Sequence, residues 1–228
     1  EIFKIEEKVK SVTSYYFSEM TQGVIESYIK EDNYHITNKN KKFYKKLQQK
    51  IQDILDLEKT QEDYIKHYLK KYNYVPFWIL VKSFSLGNLS SFLRLSKQEL
   101  QQKVSYAFGV WEDELITYLA FLTLFRNESA HNKRIYSLKY RVQRIPSKNY
   151  PNITKFKNIK LNDIFSILLI LKRISTKNDF TDFIKEFLLE ILKLEKNINE
   201  EALKSIKKEM GLPENWEEIV NLSKLDAT

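Results

Sequence analysis

An all-α fold is the first expectation from this chain, and three observations carry it. Gly and Pro number four each in 228 residues, too few to supply the turns of an all-β fold. Leu, Ile, Lys and Glu fill long stretches in which apolar residues recur every three to four positions, the period of a helix with one buried face. Helix-opening sequences of the capping-box type, Thr60-Gln-Glu-Asp63 and Ser96-Lys-Gln-Glu99, stand ahead of two of these stretches. The pattern predicts helix after helix in a single domain over 1–228, with a basic irregular insertion around 136–160.

Taken in order, Phe3 to about Met20 reads as a helix with Ile5, Val9, Val12 and Tyr16 on one face. A short helical piece follows at Val24–Lys30, then a polar loop over Asp32–Asn40. Leu47, Ile51, Ile54 and Leu55 place the next helix at Lys41–Leu57, and Tyr64–Tyr72 follows the first capping sequence. Pro76 is expected to open a helix, where its missing N–H costs nothing, and Gly87-Asn88 to end it. About Glu99–Phe108 follows the second capping sequence. Trp111, Leu115, Tyr118, Leu119, Leu122 and Phe125 then form one stripe of a long helix. After the insertion, helices are expected at Leu161–Ser175, Phe180–Glu195, Glu200–Met210 and Glu214–Leu222, the last two separated by Gly211-Leu-Pro213. Phe77, Trp78 and Trp216 read as core anchors.

Composition narrows the function classes. There is no Cys, so neither disulfides nor a thiolate metal site can form. Three dispersed histidines, His35, His67 and His131, do not suggest a metal centre; no metal and no cofactor are expected. The longest apolar runs, Tyr118–Phe125 and Ile164–Leu171, are about half the length of a membrane span. With no signal-peptide pattern, a cytoplasmic protein without a membrane role is expected. The chain begins without Met, and further N-terminal sequence is expected to precede it.

The net charge of +8 is unevenly spread. From Asn132 to Asn162 stand Lys133, Arg134, Lys139, Arg141, Arg144, Lys148, Lys155, Lys157 and Lys160, with no acid. Such a stretch suits a surface that neutralises phosphates. Its interleaved Tyr136, Tyr140, Tyr150 and Phe156 are candidates for stacking on unpaired bases. A second cluster, Lys41, Lys42, Lys45 and Lys46 with Lys39 and Lys50, opens the helix at 41. It is either a second phosphate-contacting surface or an ordinary solvated lysine face.

Between the long helix and the basic stretch lies Arg126-Asn127-Glu128-Ser129-Ala130-His131. Histidine moves protons near neutral pH, and arginine holds a phosphate with a planar fork of donors. Such a pair can perform metal-free chemistry on RNA. The spacing alone is weak, since 6 Arg and 3 His in 228 residues give about 0.08 chance matches. At 100° per residue, Arg126 sits at the edge of the apolar stripe, whereas Asn127 and His131 fall together on the other side. Either the helix bends or restarts at the motif, or these side chains meet partners from another helix or another subunit.

Three segments carry a family resemblance. Pro76-Phe77-Trp78-Ile-Leu-Val with Phe84-Ser-Leu-Gly87-Asn-Leu-Ser resembles the opening signature of the Abi-like abortive-infection proteins, the AbiD/AbiF group. Leu124-Phe-Arg126-Asn127-Glu-Ser-Ala130-His131-Asn-Lys-Arg134-Ile-Tyr136 resembles that family's Arg-Asn-x-x-Ala-His signature, and Met210-Gly-Leu-Pro-Glu-Asn-Trp216 a third. The chain departs locally, with Asn132 where a second His or another polar residue is frequent and Tyr136 where Trp is common. The family is similar to HEPN-domain proteins, helical bundles whose Arg-x4–6-His motifs form metal-independent endoribonuclease sites, usually shared across a homodimer. The resemblance therefore implies an HEPN-like bundle and a phage-defence toxin cutting RNA. His131 would be the general acid or base, Arg126 would stabilise the phosphoryl group, and Asn127 would orient the histidine or donate to the phosphate. It further implies a structured small noncoding RNA as controlling partner, with DNA excluded as substrate. Two alternatives stand beside this reading: an RNA-binding protein that does not cut, and a helical protein-interaction scaffold.

Overall fold

Helix follows helix in the computed structural model, which describes residues 1–131, 134–141, 145–146, 150 and 153–222. Among the described residues there is no strand, and a single isolated bridge pairs Tyr34 with Ser96. The expected all-α class holds. The chain divides into two units, one of residues 6–107 and one of residues 1–5 with 108–228.

The first unit contains most of α1 (Ile2–Met20), then α2 (Lys41–Leu55), α3 (Asp63–Tyr72), α4 (Phe77–Leu80), α5 (Leu86–Leu95) and α6 (Gln98–Tyr106). Its core is aromatic. Phe77 stacks on Phe92 at 4.8 Å, and Phe17 meets both rings at 4.5 and 5.3 Å. Two buried tyrosines satisfy their hydroxyls on backbone carbonyls, Tyr28 on Val75 at 2.7 Å and Tyr34 on Tyr28. Burial pushes the Tyr28 and Tyr34 phenols well above the ordinary tyrosine range, because a phenolate there would lose its hydration.

Several local expectations for this unit are corrected. Neither capping box forms. The Thr60 hydroxyl accepts from the Glu62 amide at 3.4 Å, ahead of the helix. Ser96 donates back to the Phe92 carbonyl at 2.8 Å, closing α5 rather than opening α6. Small hydroxyls have several local backbone partners within reach, and here these won. Gly87-Asn88 lies inside α5, whose true opening is Ser85, accepting from the Asn88 amide at 3.2 Å. The helical piece at Val24–Lys30 reduces to a 3₁₀ turn, Ser27–Ile29. Phe77 is a core anchor as expected, but Trp78 is 50 % exposed.

The second unit is built on α7 (Glu112–Ala130), α8 (Ile164–Ile174), α9 (Lys177–Asn197) and α10 (Glu200–Glu209), with a 3₁₀ helix at Trp216–Asn221. In α8 every residue but Lys172 is buried. It packs against α7, α9 and the 3₁₀ helix. Three of these four helices open on side-chain caps, Asp163 for α8, Thr176 for α9 and Asn199 for α10, each satisfying an amide that the helix cannot. α10 has no buried residue. Trp216 is buried, its indole meeting Phe187 edge-on at 5.4 Å.

Glycine at 211 has a specific reason. Its φ is +75°, and a Cβ there would lie 2.0 Å from Asp163 Oδ2. The Met210 carbonyl also accepts from the Phe165 amide at 3.3 Å, fixing this turn against the start of α8. Gly211→Ala meets left-handed backbone strain of about 1–3 kcal/mol and overpacking of about 1–3 kcal/mol. A urea titration of the variant should show its midpoint displaced accordingly; an unchanged midpoint would mean that the turn relaxes freely.

Candidate functional site

α7 carries the Arg-Asn-x3-His motif, and its sequence explains why it stays helical that far. Glu112, Asp113 and Glu114 favour its N-terminus, and no Gly or Pro interrupts it before His131. The helix neither bends into a new element nor restarts at the motif. It is α-helical to Ala130, and His131 is its C-cap, with φ −96° and ψ 15° and its N–H on the Asn127 carbonyl at 3.2 Å. Leu122 and Phe125 are buried immediately upstream, while Arg126, Asn127 and His131 are exposed. Along this continuous helix the side chains of Arg126 and His131 leave the axis about 140° apart, and those of Asn127 and His131 about 40° apart. One chain thus presents Asn127 and His131 together and Arg126 to one side.

A buried polar network braces the same helix. Glu114 and Arg173 are 0 % and 4 % exposed. Arg173 Nε donates to Glu114 Oε1 at 2.9 Å, and Tyr118 donates its hydroxyl to the same oxygen at 2.6 Å. Tyr150 extends the chain by donating to the Tyr118 hydroxyl at 2.6 Å, and the Trp111 amide reaches Glu114 Oε2 at 3.4 Å. Burial is the main force driving both tyrosine hydroxyls far above their ordinary titration range, reinforced by the neighbouring carboxylate. Sequence reading missed this network. Its available signals were an arginine two residues after the apolar run Ile164–Leu171 and a glutamate four residues before a core tyrosine.

Among its described residues, the basic segment after α7 has no α-helix and no strand, in line with the expected irregular insertion. Two backbone contacts fold it back, Tyr140 N–H on the Asn162 carbonyl at 2.7 Å and Ile145 N–H on that of Leu161 at 3.0 Å. Arg134, Tyr136, Arg141, Lys155, Lys157 and Lys160 are exposed. Lys139 is engaged within the fold: its ammonium donates to the Glu209 carbonyl at 2.6 Å and lies 3.6 Å from Asp163. Burial raises the Asp163 carboxyl above the usual range, and Lys139 opposes that shift. Lys133, Arg144 and Lys148 lie outside the described residues.

The stacking expectation is corrected in part. Tyr150 and Phe156 are buried, the first in the network above and the second against Phe165 at 5.0 Å. Tyr140 is half-buried on Phe121 at 4.3 Å, so Tyr136 is the ring of this set that faces solvent. Apolar rings in an irregular segment anchor it to the nearest helices, because burying them is the larger gain.

In the first unit, Lys41, Lys42, Lys45 and Lys46 are all exposed and, with Gln49, lie together on one open face of α2. Their helix buries the opposite face through Tyr44, Leu47, Ile51 and Ile54. Among the described residues no group of three or more His, Cys, Asp or Glu is placed to hold a metal ion. No helix among them is long and apolar enough to cross a membrane.

Residues 1–137 match the family described as Abi-like protein. The matched span includes both the Pro76-Phe77-Trp78 segment and the Arg126–His131 motif, and stops short of Met210–Trp216. No curated protein and no solved structure gives a match. With more than half of its residues matched, in a span that contains the exposed Arg126, Asn127 and His131 at the end of α7, the chain belongs to the Abi-like protein family.

Proposed function

We propose that this protein is a metal-independent endoribonuclease of phage defence, built on an HEPN-like arrangement and bound by RNA. Family membership supports an abortive-infection role. The observation that carries the finer reading is the exposed Arg126, Asn127 and His131 at the end of a continuous, buried-face helix. Divergence of Arg126 from His131 on one chain favours a composite site, in which a second copy supplies the complementary arginine or histidine. The homodimer is therefore part of the proposal.

In the reaction, His131 removes the proton from a ribose 2′-OH, and the oxygen attacks the adjacent phosphorus. Arg126 neutralises the equatorial oxygens as negative charge builds on them. The bond from phosphorus to the 5′-oxygen breaks, and that oxygen takes a proton from the protonated histidine of the pair. The products are a 2′,3′-cyclic phosphate and a 5′-OH. Asn127, a turn before His131, orients the imidazole or donates to the phosphate. Arg134, Arg141, Lys155, Lys157 and the lysines of α2 supply phosphate contacts, and the controlling partner is a structured small noncoding RNA.

The test combines sequencing of RNA carried through purification with cleavage of a mixed RNA pool in EDTA. Cyclic-phosphate ends, and no cleavage of the 2′-deoxy equivalent, are the expected result. RNA binding without any such ends would favour the non-cutting reading, which the 140° divergence supports for a chain acting alone.

A further inference from the structure

A second acid-free segment lies in the first unit. From Tyr64 to Gln98 there is no Asp or Glu, while Lys66, Lys70, Lys71, Lys82, Arg94 and Lys97 all fall within it. On α3, α4 and the turn between them this segment gathers five rings. Trp78 meets Tyr68 edge-on at 6.0 Å, Tyr68 meets Tyr72 at 5.4 Å, and Tyr72 touches Tyr74 at 6.4 Å and His67 at 6.3 Å. The cluster is not core. Trp78 is 50 % exposed, Tyr72 is 46 % exposed, and His67 also faces solvent. Its neighbours Phe77, Ile79 and Leu80 are buried, so α4 has its anchors without the indole.

Charge borders the rings. The Lys71 ammonium lies 5.2 Å from the centre of the Tyr72 ring. Neither Lys70 nor Lys71 has an acid three or four residues away. Among the described residues Lys70, Lys71 and Lys82 make no ion pair. These ammonium groups keep their full attraction for an external polyanion.

We infer that the Trp78–Tyr72 face of α3 and α4 is a binding site for unpaired RNA, in which bases stack on the rings and Lys70, Lys71 and Lys82 hold the backbone. This rests on the RNA reading given above and adds where unpaired bases are held. Stacking on aromatic side chains is the usual way that single-stranded bases are gripped, and it tolerates any sequence because every base has a π-face. The rings available in the basic segment after α7 are largely buried, which leaves this face as the larger exposed set. A membrane-surface helix sets Leu and Phe beside its Trp on one continuous apolar face. Here Tyr72 and Trp78 are the large hydrophobic side chains that α3 and α4 expose, with no exposed aliphatic beside them.

The probe is a labelled 2′-O-methyl RNA of mixed sequence, which cannot be cut, as a single strand and as a duplex, followed by anisotropy across salt. Trp78→Ala and Tyr72→Ala should each weaken single-strand binding about tenfold and leave duplex binding nearly unchanged. Lys70→Gln with Lys71→Gln should lower the salt slope by about two. To separate stacking from any loss of folding, Trp111→Phe leaves Trp78 as the solvent-facing indole, and its emission should be quenched by the single strand. Wild-type affinity in both alanine variants, with no quenching, would overturn the inference while leaving the ribonuclease reading standing. Unchanged RNA affinity in Trp78→Ala with lost binding to phosphatidylserine vesicles would overturn it in favour of a membrane surface. A wild-type protein that binds neither RNA form would remove the RNA reading beneath it as well.

Discussion

Glu114→Ala should cost about 3–5 kcal/mol of folding free energy, because it strands the Arg173 guanidinium in the interior without a counter-charge. Both partners are almost wholly shielded from water, so solvent cannot replace the lost carboxylate. Tyr118 simultaneously loses the acceptor it reaches at 2.6 Å, and the chain to Tyr150 unravels. Folded proteins have only about 5–15 kcal/mol in hand, so the variant should unfold at markedly lower urea or fail to accumulate. Glu114→Gln, which keeps an acceptor oxygen, should lose less. The paired change Glu114→Met with Arg173→Met should recover part of the Glu114→Ala loss, since an apolar pair avoids the desolvation of two ions, while the buried Tyr118 hydroxyl left without its acceptor still costs about 1–3 kcal/mol. If Glu114→Ala melts with the wild type, the network is not bracing α7.

His131→Ala should lower RNA cleavage by about 10²–10⁴-fold, the range over which a positioned proton-transfer group contributes, with stability unchanged. His131 is exposed at a helix end and its N–H contact is made by the backbone, so its side chain has little role in folding. Bound RNA should be retained at wild-type level in the variant. Arg126→Ala should likewise abolish cleavage. Mixing the two inactive variants should restore part of the activity if the site is shared between two copies, because one of the mixed sites would then contain an intact Arg126 and an intact His131. Full cleavage by His131→Ala, read by denaturing gel and end-group analysis, would rule out the proposed chemistry.

The helices were legible because apolar period is a strong signal over many residues. α1, α2, α7, α8 and α9 were anticipated within a few residues at most of their ends. Their connections were less so. At Thr60 and Ser96 the capping pattern was present, but a hydroxyl chooses among neighbouring backbone groups on geometry that the letters do not carry. Gly87 resembled a helix end because glycine weakens helices, yet Ser85 and the buried Leu86, Leu89 and Phe92 hold α5 together around it. In the candidate site, the types of Arg126, Asn127 and His131 and their flanking segments single them out in the sequence, and their exposure at the end of α7 is what the structure adds. The Glu114–Arg173 pair was not legible, because it joins residues 59 positions apart and no local pattern links them. Nor was Trp78: the same letter reads as an anchor or as an exposed ring, and only the neighbouring Phe77 taking the core position decides between them.

α10 has no buried side chain, whereas α8 is covered on nearly every residue. Stability is consequently graded within one unit. Backbone amides of α10 should exchange with solvent through small local openings, while those of α8 wait for global unfolding. Native-state hydrogen exchange should therefore rank α10 among the first helices to label and α8 among the last. The Met210-Gly211-Leu212 turn marks the border, since it ends a lightly held helix and is itself pinned to the start of the best-covered one.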